Sequence, residues 1–133
     1  MNYLNRLRST LLVAALGATQ PVLAHHLFSA EFDGSKAVKL TGQVTKVEWS
    51  NPHAYLYLDV KDAAGAVSNW KIELGSPNNL TRLGWRREKV QVGDQLTVEG
   101  TLGRYIPNLA NAKSAILVRS GERLGAGSSQ PGS

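Results

Sequence analysis

The stretch VKLTGQVTKVEW, residues 38–49, alternates along its whole length and changes its apolar parity on the way. Val38, Leu40 and Val44 lie on one parity, and Val47 and Trp49 lie on the other. Alternation with period two is the mark of a strand, because successive side chains point to opposite faces. A parity change inside one run needs an extra residue, so the stretch is expected to be one long curved strand with a bulge or bend. Gly42 is the expected position of that bend, since glycine accepts close approach and unusual dihedrals.

The pattern stops at Ser50-Asn51-Pro52-His53. Proline cannot continue a central ladder, so these residues are expected to form a loop. Ala54 to Val60 (AYLYLDV) resumes as a second strand, and Lys61-Asp62-Ala63-Ala64-Gly65 supplies a hairpin turn. A third strand is predicted from Ala66 to Leu74. Ser76-Pro77 then opens a short helix, with serine as cap, proline in the first turn and Gly84 as its stop. Trp85 is expected to fold back onto the core. A fourth strand runs from Gln95 to Thr101 and a fifth from Ala112 to Arg119, with a loop from Leu102 to Asn111 between them. Beyond about Gly121 the chain is rich in Gly and Ser, and residues 122–133 are expected to be a disordered tail.

This order points to an all-β fold. It predicts a small five-stranded OB-fold-like barrel with one short helix between strands three and four, spanning residues 25–121. A small open sandwich is the alternative. Closure into a barrel removes the sheet edges that an isolated β domain would expose.

Upstream of this domain, residues 1–24 read as a signal peptide. Arg6 and Arg8 form a basic start, Leu11 to Ala18 a short apolar run, and Val22-Leu23-Ala24 a small-residue cleavage site after Pro21. The apolar run is much shorter than the about 20 residues a bilayer span needs. Cleavage after Ala24 would place the protein in the periplasm with His25 as its first residue and no membrane span. The chain has no cysteine, so its core must hold without disulfides. The formal net charge of +5 falls to +3 once Arg6 and Arg8 are removed. The remaining basic residues are interleaved with acidic ones, as in Arg86-Arg87-Glu88-Lys89. That pattern makes no phosphate-gripping stripe and argues against nucleic acid as a partner.

Several motifs carry a resemblance. They are His25-His26 with Phe28 and Phe32-Asp33, Leu40-Thr41-Gly42, and Trp49-Ser50-Asn51-Pro52-His53. Glu73-Leu74-Gly75-Ser76-Pro77-Asn78, Leu83-Gly84-Trp85, Val92-Gly93-Asp94 and Asn111-Ala112 complete the set. Together they resemble a family of small exported proteobacterial proteins known only as a domain of unknown function. Leu27 departs from the serine that often follows the two histidines there. The resemblance implies export and a compact β domain, and it implies no activity.

The three histidines, His25, His26 and His53, carry the most chemical information. After cleavage, His25 would offer both an α-amino group and a ring nitrogen, and a second histidine from elsewhere would complete a three-nitrogen set. Such nitrogen-rich, square-planar sites suit Cu(II). His53, in the loop between the first two strands, is the candidate partner. The tip alone, with the ring of His26, is a second geometry. The alternatives are polar residues on a frayed terminus and a turn-capping role for His53. No cysteine is present and the single methionine is Met1, so soft sulfur ligation is excluded.

A second candidate is an aromatic ligand surface. Tyr55 and Tyr57 share a parity opposite to Leu56 and Leu58, and would face outward beside Asn51 if the leucines face inward. Tyr105 lies in the loop before the last strand. Such residues suit a glycan, a small aromatic ligand, a peptide or a protein partner. No nucleophile motif is present, and Glu31, Asp33, Glu48 and Glu73 follow no catalytic spacing. The sequence therefore favours binding over turnover. The first expectation is a small periplasmic binding protein holding copper, and the second is an OB-fold adaptor.

Overall fold

β1 (Phe32–Glu48) is a single 17-residue strand, and the sheet is built on both of its sides. The computed structural model describes residues 27–128 and 130. The second half of β1 pairs with β2 (Tyr55–Lys61) and its first half with β4 (Gln95–Gly103), both antiparallel. β2 continues into β3 (Val67–Glu73), and β4 pairs with β5 (Leu109–Leu117), which pairs with the short β6 (Arg123–Gly125). A parallel pairing of β3 with β5, Lys71–Glu73 against Leu109–Asn111, turns the sheet into a ring. One short helix, α1 (Pro77–Arg82), lies between β3 and β4. This is the all-β, OB-fold-like barrel that the element order implies, with one strand more than expected.

The parity change in β1 is a bulge. The register against β2 shifts between Val44 and Lys46, leaving Thr45 as the extra residue. Gly42 is therefore not the bulge. It is a point of close approach, because a Cβ there would lie 2.6 Å from the Asp59 carbonyl oxygen. Leu40 and Val44 point into the core with Leu56, Leu58, Ile72, Leu74, Leu96, Val98 and Leu117.

α1 forms as its sequence dictates. Ser76 accepts the Asn79 N–H, Pro77 occupies the first turn, and Gly84 (φ +91°) ends the helix. Trp85 follows, 1% exposed, and its Nε1–H donates to the Gly125 carbonyl at 2.7 Å.

That bond belongs to the main correction. Residues 122–133 were expected to be disordered, yet β6 lies among them, and Leu124 and Ala126 are buried in the core. The Ala126 carbonyl accepts from Gly75 N–H and its N–H donates to the Lys113 carbonyl, both at 2.8 Å. The segment fills the gap where β3 and β5 diverge. Its composition is that of a tail, but its backbone completes the barrel. β5 also starts earlier than predicted, at Leu109, because Leu109–Asn111 pairs with β3.

The lead-in is anchored as well. Residues 27–31 are helical. Phe28 stacks on Phe32, ring centroids 5.2 Å apart, and both pack on Leu109 in a second apolar cluster. Arg104 N–H donates to the Glu31 carbonyl at 2.8 Å, and the Arg104 side chain reaches the Ser29 and Phe32 carbonyls.

If β6 closes the barrel, Leu124→Ala will destabilise the protein by about 2–5 kcal/mol, the usual cost of emptying a buried leucine site. A disordered tail would give a change near zero. Urea unfolding of the folded domain measures the difference.

Candidate functional site

Residues paired across a ladder share a face, so pairing shows what surrounds His53. Tyr55 pairs with Glu73 and Tyr57 with Lys71, while Leu56 and Leu58 point inward, fully buried. Glu73 therefore belongs to the outer face of the barrel wall, as does Asn111, its partner on β5. Both are nonetheless buried, Glu73 at 5% exposed and Asn111 at 1%. The cover comes from the two termini. The lead-in brings Glu31 within electrostatic reach of Tyr55 and Glu73. The C-terminal segment brings Ser128 Oγ onto Asn111 Oδ1, and Gln130 Oε1 accepts from Thr101 Oγ1 at 2.8 Å.

His53 stands at the edge of this roofed patch, its side chain about one-third exposed. Its Nδ1 lies 2.9 Å from the Leu74 carbonyl oxygen. A carbonyl can only accept, so Nδ1 carries the proton and the neutral ring has its lone pair on Nε2. Glu73 Oε1 lies 3.5 Å from the same Nδ1 and accepts from Asn111 Nδ2 at 3.1 Å. Burial pushes the Glu73 carboxyl above its ordinary range; nearby His53 opposes this, Glu31 adds to it, and the Asn111 bond and Lys71 oppose it. Burial also raises the Tyr55 hydroxyl, with the charges of Glu73 and Glu31 adding to the effect. Among the described residues every buried side-chain polar atom has a partner.

The other predicted residues separate from this group. Tyr57 donates its hydroxyl to Glu48 Oε2 at 2.6 Å, and Lys46 Nζ lies 5.0 Å from its ring centroid. Lys71 Nζ lies 4.1 Å from the Tyr55 ring centroid. The tyrosines do face outward, but each already has a cation over its ring. Asn51 is exposed, joined to Pro52 by a cis peptide bond. Tyr105, 81% exposed, and Ile106 stand out from the β4–β5 loop. His25 and His26 lie outside the described residues, as does the expected signal peptide. Among the described residues no three His, Asp or Glu side chains converge as a metal-binding set, and no helix is long and apolar enough to cross a membrane.

The model of a protein family described as "Family of unknown function (DUF6152)" matches residues 13–106. The chain belongs to that family. No curated protein matches it. Among solved structures, the mitochondrial single-stranded DNA-binding protein from S. cerevisiae is similar at 13% identity and a TM-score of 0.49. That match covers 65% of this chain and 94% of the other.

Sequence reading missed Glu73 and Asn111 as site residues. The parity of Glu73 marks it as a surface group and Asn111 falls in the expected loop before the fifth strand, and only segments distant in sequence bury them. One signal was present, since Glu73-Leu74 and Asn111 both lie in the motifs that carry the family resemblance.

The Tyr57–Glu48 bond makes a prediction of its own. The carboxylate accepts the phenol proton, and this pushes the Tyr57 pKa from 10.0 to about 12, with burial adding to it. The native pKa lies above the unfolded one, so the associated stability is complete below pH 10 and is lost between pH 10 and about 12. In Glu48→Gln the late phenolate transition will move back toward 10, as followed by ultraviolet absorbance. An unchanged titration would show that the bond does not persist in solution.

Proposed function

We propose that the mature protein is a small periplasmic Cu(II)-binding protein, with the metal held by the amine and ring of His25 and by Nε2 of His53, and His26 adjacent. The observation that carries this reading is the 2.9 Å bond from His53 Nδ1 to the Leu74 carbonyl. Metal-ligating histidines almost always donate their other ring N–H to a carbonyl or carboxylate, which fixes the tautomer and aims the lone pair. A histidine serving only as a polar surface group needs no such support.

Two further features support it. The lead-in is held against the wall through Phe28, Phe32 and the Arg104–Glu31 bond, with Glu31 in electrostatic reach of Tyr55 and Glu73. Two residues separate His25 from Phe28, so in a chain processed after Ala24 the first Cα is tethered within about 11 Å of the Phe28 Cα. The ligand set is all nitrogen, which favours Cu(II) over metals preferring carboxylate oxygen. The role is binding or delivery rather than turnover.

A second reading has one observation in its favour. Tyr105 and Ile106 expose apolar surface on a β4–β5 loop, a place where OB-folds bind ligands, which suits an adaptor for a glycan, peptide or protein. The cations over Tyr55 and Tyr57 speak against the larger aromatic platform that this reading requires.

Calorimetry with EPR on protein whose first residue is His25 tests the copper site. One-to-one Cu(II) binding is expected, weakened at least tenfold by His53→Ala and by one extra residue placed before His25. Binding indifferent to both changes would discard the copper reading and turn attention to the Tyr105 loop.

A further inference from the structure

Most cations on the described surface are already matched. Seven lysines and arginines each lie within 3.8 Å of a carboxylate, and Lys71 sits over the Tyr55 ring. Arg82, Arg86 and Arg87 are the contrast. All three are exposed, and among the described residues their side chains make no ion pair and no hydrogen bond. They lie on the last turn of α1 and the loop after it, within about 18 Å of one another along the chain. The helix dipole favours a cation at Arg82, but Arg86 and Arg87 lie beyond the helix. The only carboxylate in residues 82–88 is Glu88, so three arginines against one glutamate leave +2. The segment is held firmly: Trp85 N–H donates to the Leu80 carbonyl at 3.0 Å, Lys89 N–H to the Arg86 carbonyl at 2.9 Å, and the buried Trp85 side chain to Gly125. Lys113, exposed and likewise unmatched, is the extra residue of a bulge in β5. Its neighbour Ser114 pairs with Gly125. Leu83 lies against the same Gly125, where a Cβ would be 3.7 Å from Leu83 Cδ1, and Leu83 is 43% exposed. An exposed leucine therefore stands beside unmatched cations from two separate segments.

We propose that this face, Arg82, Leu83, Arg86, Arg87 and Lys113, docks the protein on a bilayer surface of anionic phospholipid, independently of the copper reading. A guanidinium offers paired N–H donors that match a phosphate, and each cation near the headgroups adds its own attraction. Leu83 supplies the apolar contact with the headgroup boundary. Lipid fits this face better than an acidic protein segment does. Headgroups diffuse to cations at any spacing, so the face needs no groove and no fixed complement. The contact is peripheral and leaves the barrel intact.

Co-sedimentation of the His25-starting protein with lipid vesicles tests this, and circular dichroism confirms that each variant is folded. Binding is expected to vesicles containing phosphatidylglycerol and not to vesicles of phosphatidylcholine alone, and it should weaken as salt rises. Arg86→Ala and Arg87→Ala are each expected to lower the partition about fivefold. Both lie outside α1, so they carry the test even if Arg82→Ala loosens the helix. Leu83→Ser is expected to weaken binding at every salt concentration. Lys61→Ala removes an unmatched lysine at the far end of the β2–β3 hairpin and should leave binding unchanged. Equal binding to both lipids, or no binding to either, overturns the proposal. So does a loss in the arginine variants no larger than that in Lys61→Ala, which would reduce the effect to net charge alone.

Discussion

Ala126 satisfies two strands at once, and the barrel depends on it. β3 and β5 pair directly only from Lys71 to Glu73 and from Leu109 to Asn111. Beyond that point the two strands separate, and their inward backbone groups would be buried without partners. The carbonyl and N–H of Ala126 take up Gly75 and Lys113 across the gap. Gly75 has to be glycine there, since a Cβ would lie 2.6 Å from the Gly127 carbonyl oxygen. The same path carries Ser128 over Asn111, so closing the barrel and roofing the polar patch are one structural event.

The elements that alternate strongly were legible in the sequence because their information is local. A parity change in β1 has to be a bulge, and Ser76-Pro77 with Gly84 has to bound a short helix. The position of the bulge was not legible. Gly42 and Thr45 both fit the pattern, and only the nearness of the Asp59 carbonyl distinguishes close approach from an inserted residue. β6 was illegible for a related reason. Three residues among glycines and serines carry no periodicity, and their strand character comes entirely from β5 and from the groove beneath Trp85.

The candidate site divides in the same way. His53 could be singled out because histidine is rare in this chain and sits in a loop. Glu73 could not, because an outward carboxylate on a strand reads as a solvated one. Its burial comes from segments more than forty residues away on either side, and no local pattern encodes that. The tyrosines show the converse. Their outward parity was readable, but the lysines that cover their rings come from the neighbouring strands, Lys46 on β1 and Lys71 on β3, and are visible only once the register is known.

These facts explain why the chemistry gathers on the outside of the barrel rather than within it. Among the described residues the interior is filled by leucine, valine, isoleucine, alanine and Trp85. A small barrel of this kind can shelter polar groups only by laying other segments over its wall, and both termini do so here. The lead-in is pinned by Phe28 and Arg104, and the strap by Ala126 and Ser128. His53 is placed where that cover ends, with Nδ1 turned toward the sheltered carbonyl and carboxylate. The ring is held on its Nδ1 side, and its side chain is about a third exposed. The bond to the Leu74 carbonyl fixes which nitrogen carries the proton, and it ties the loop after Trp49 to the end of β3.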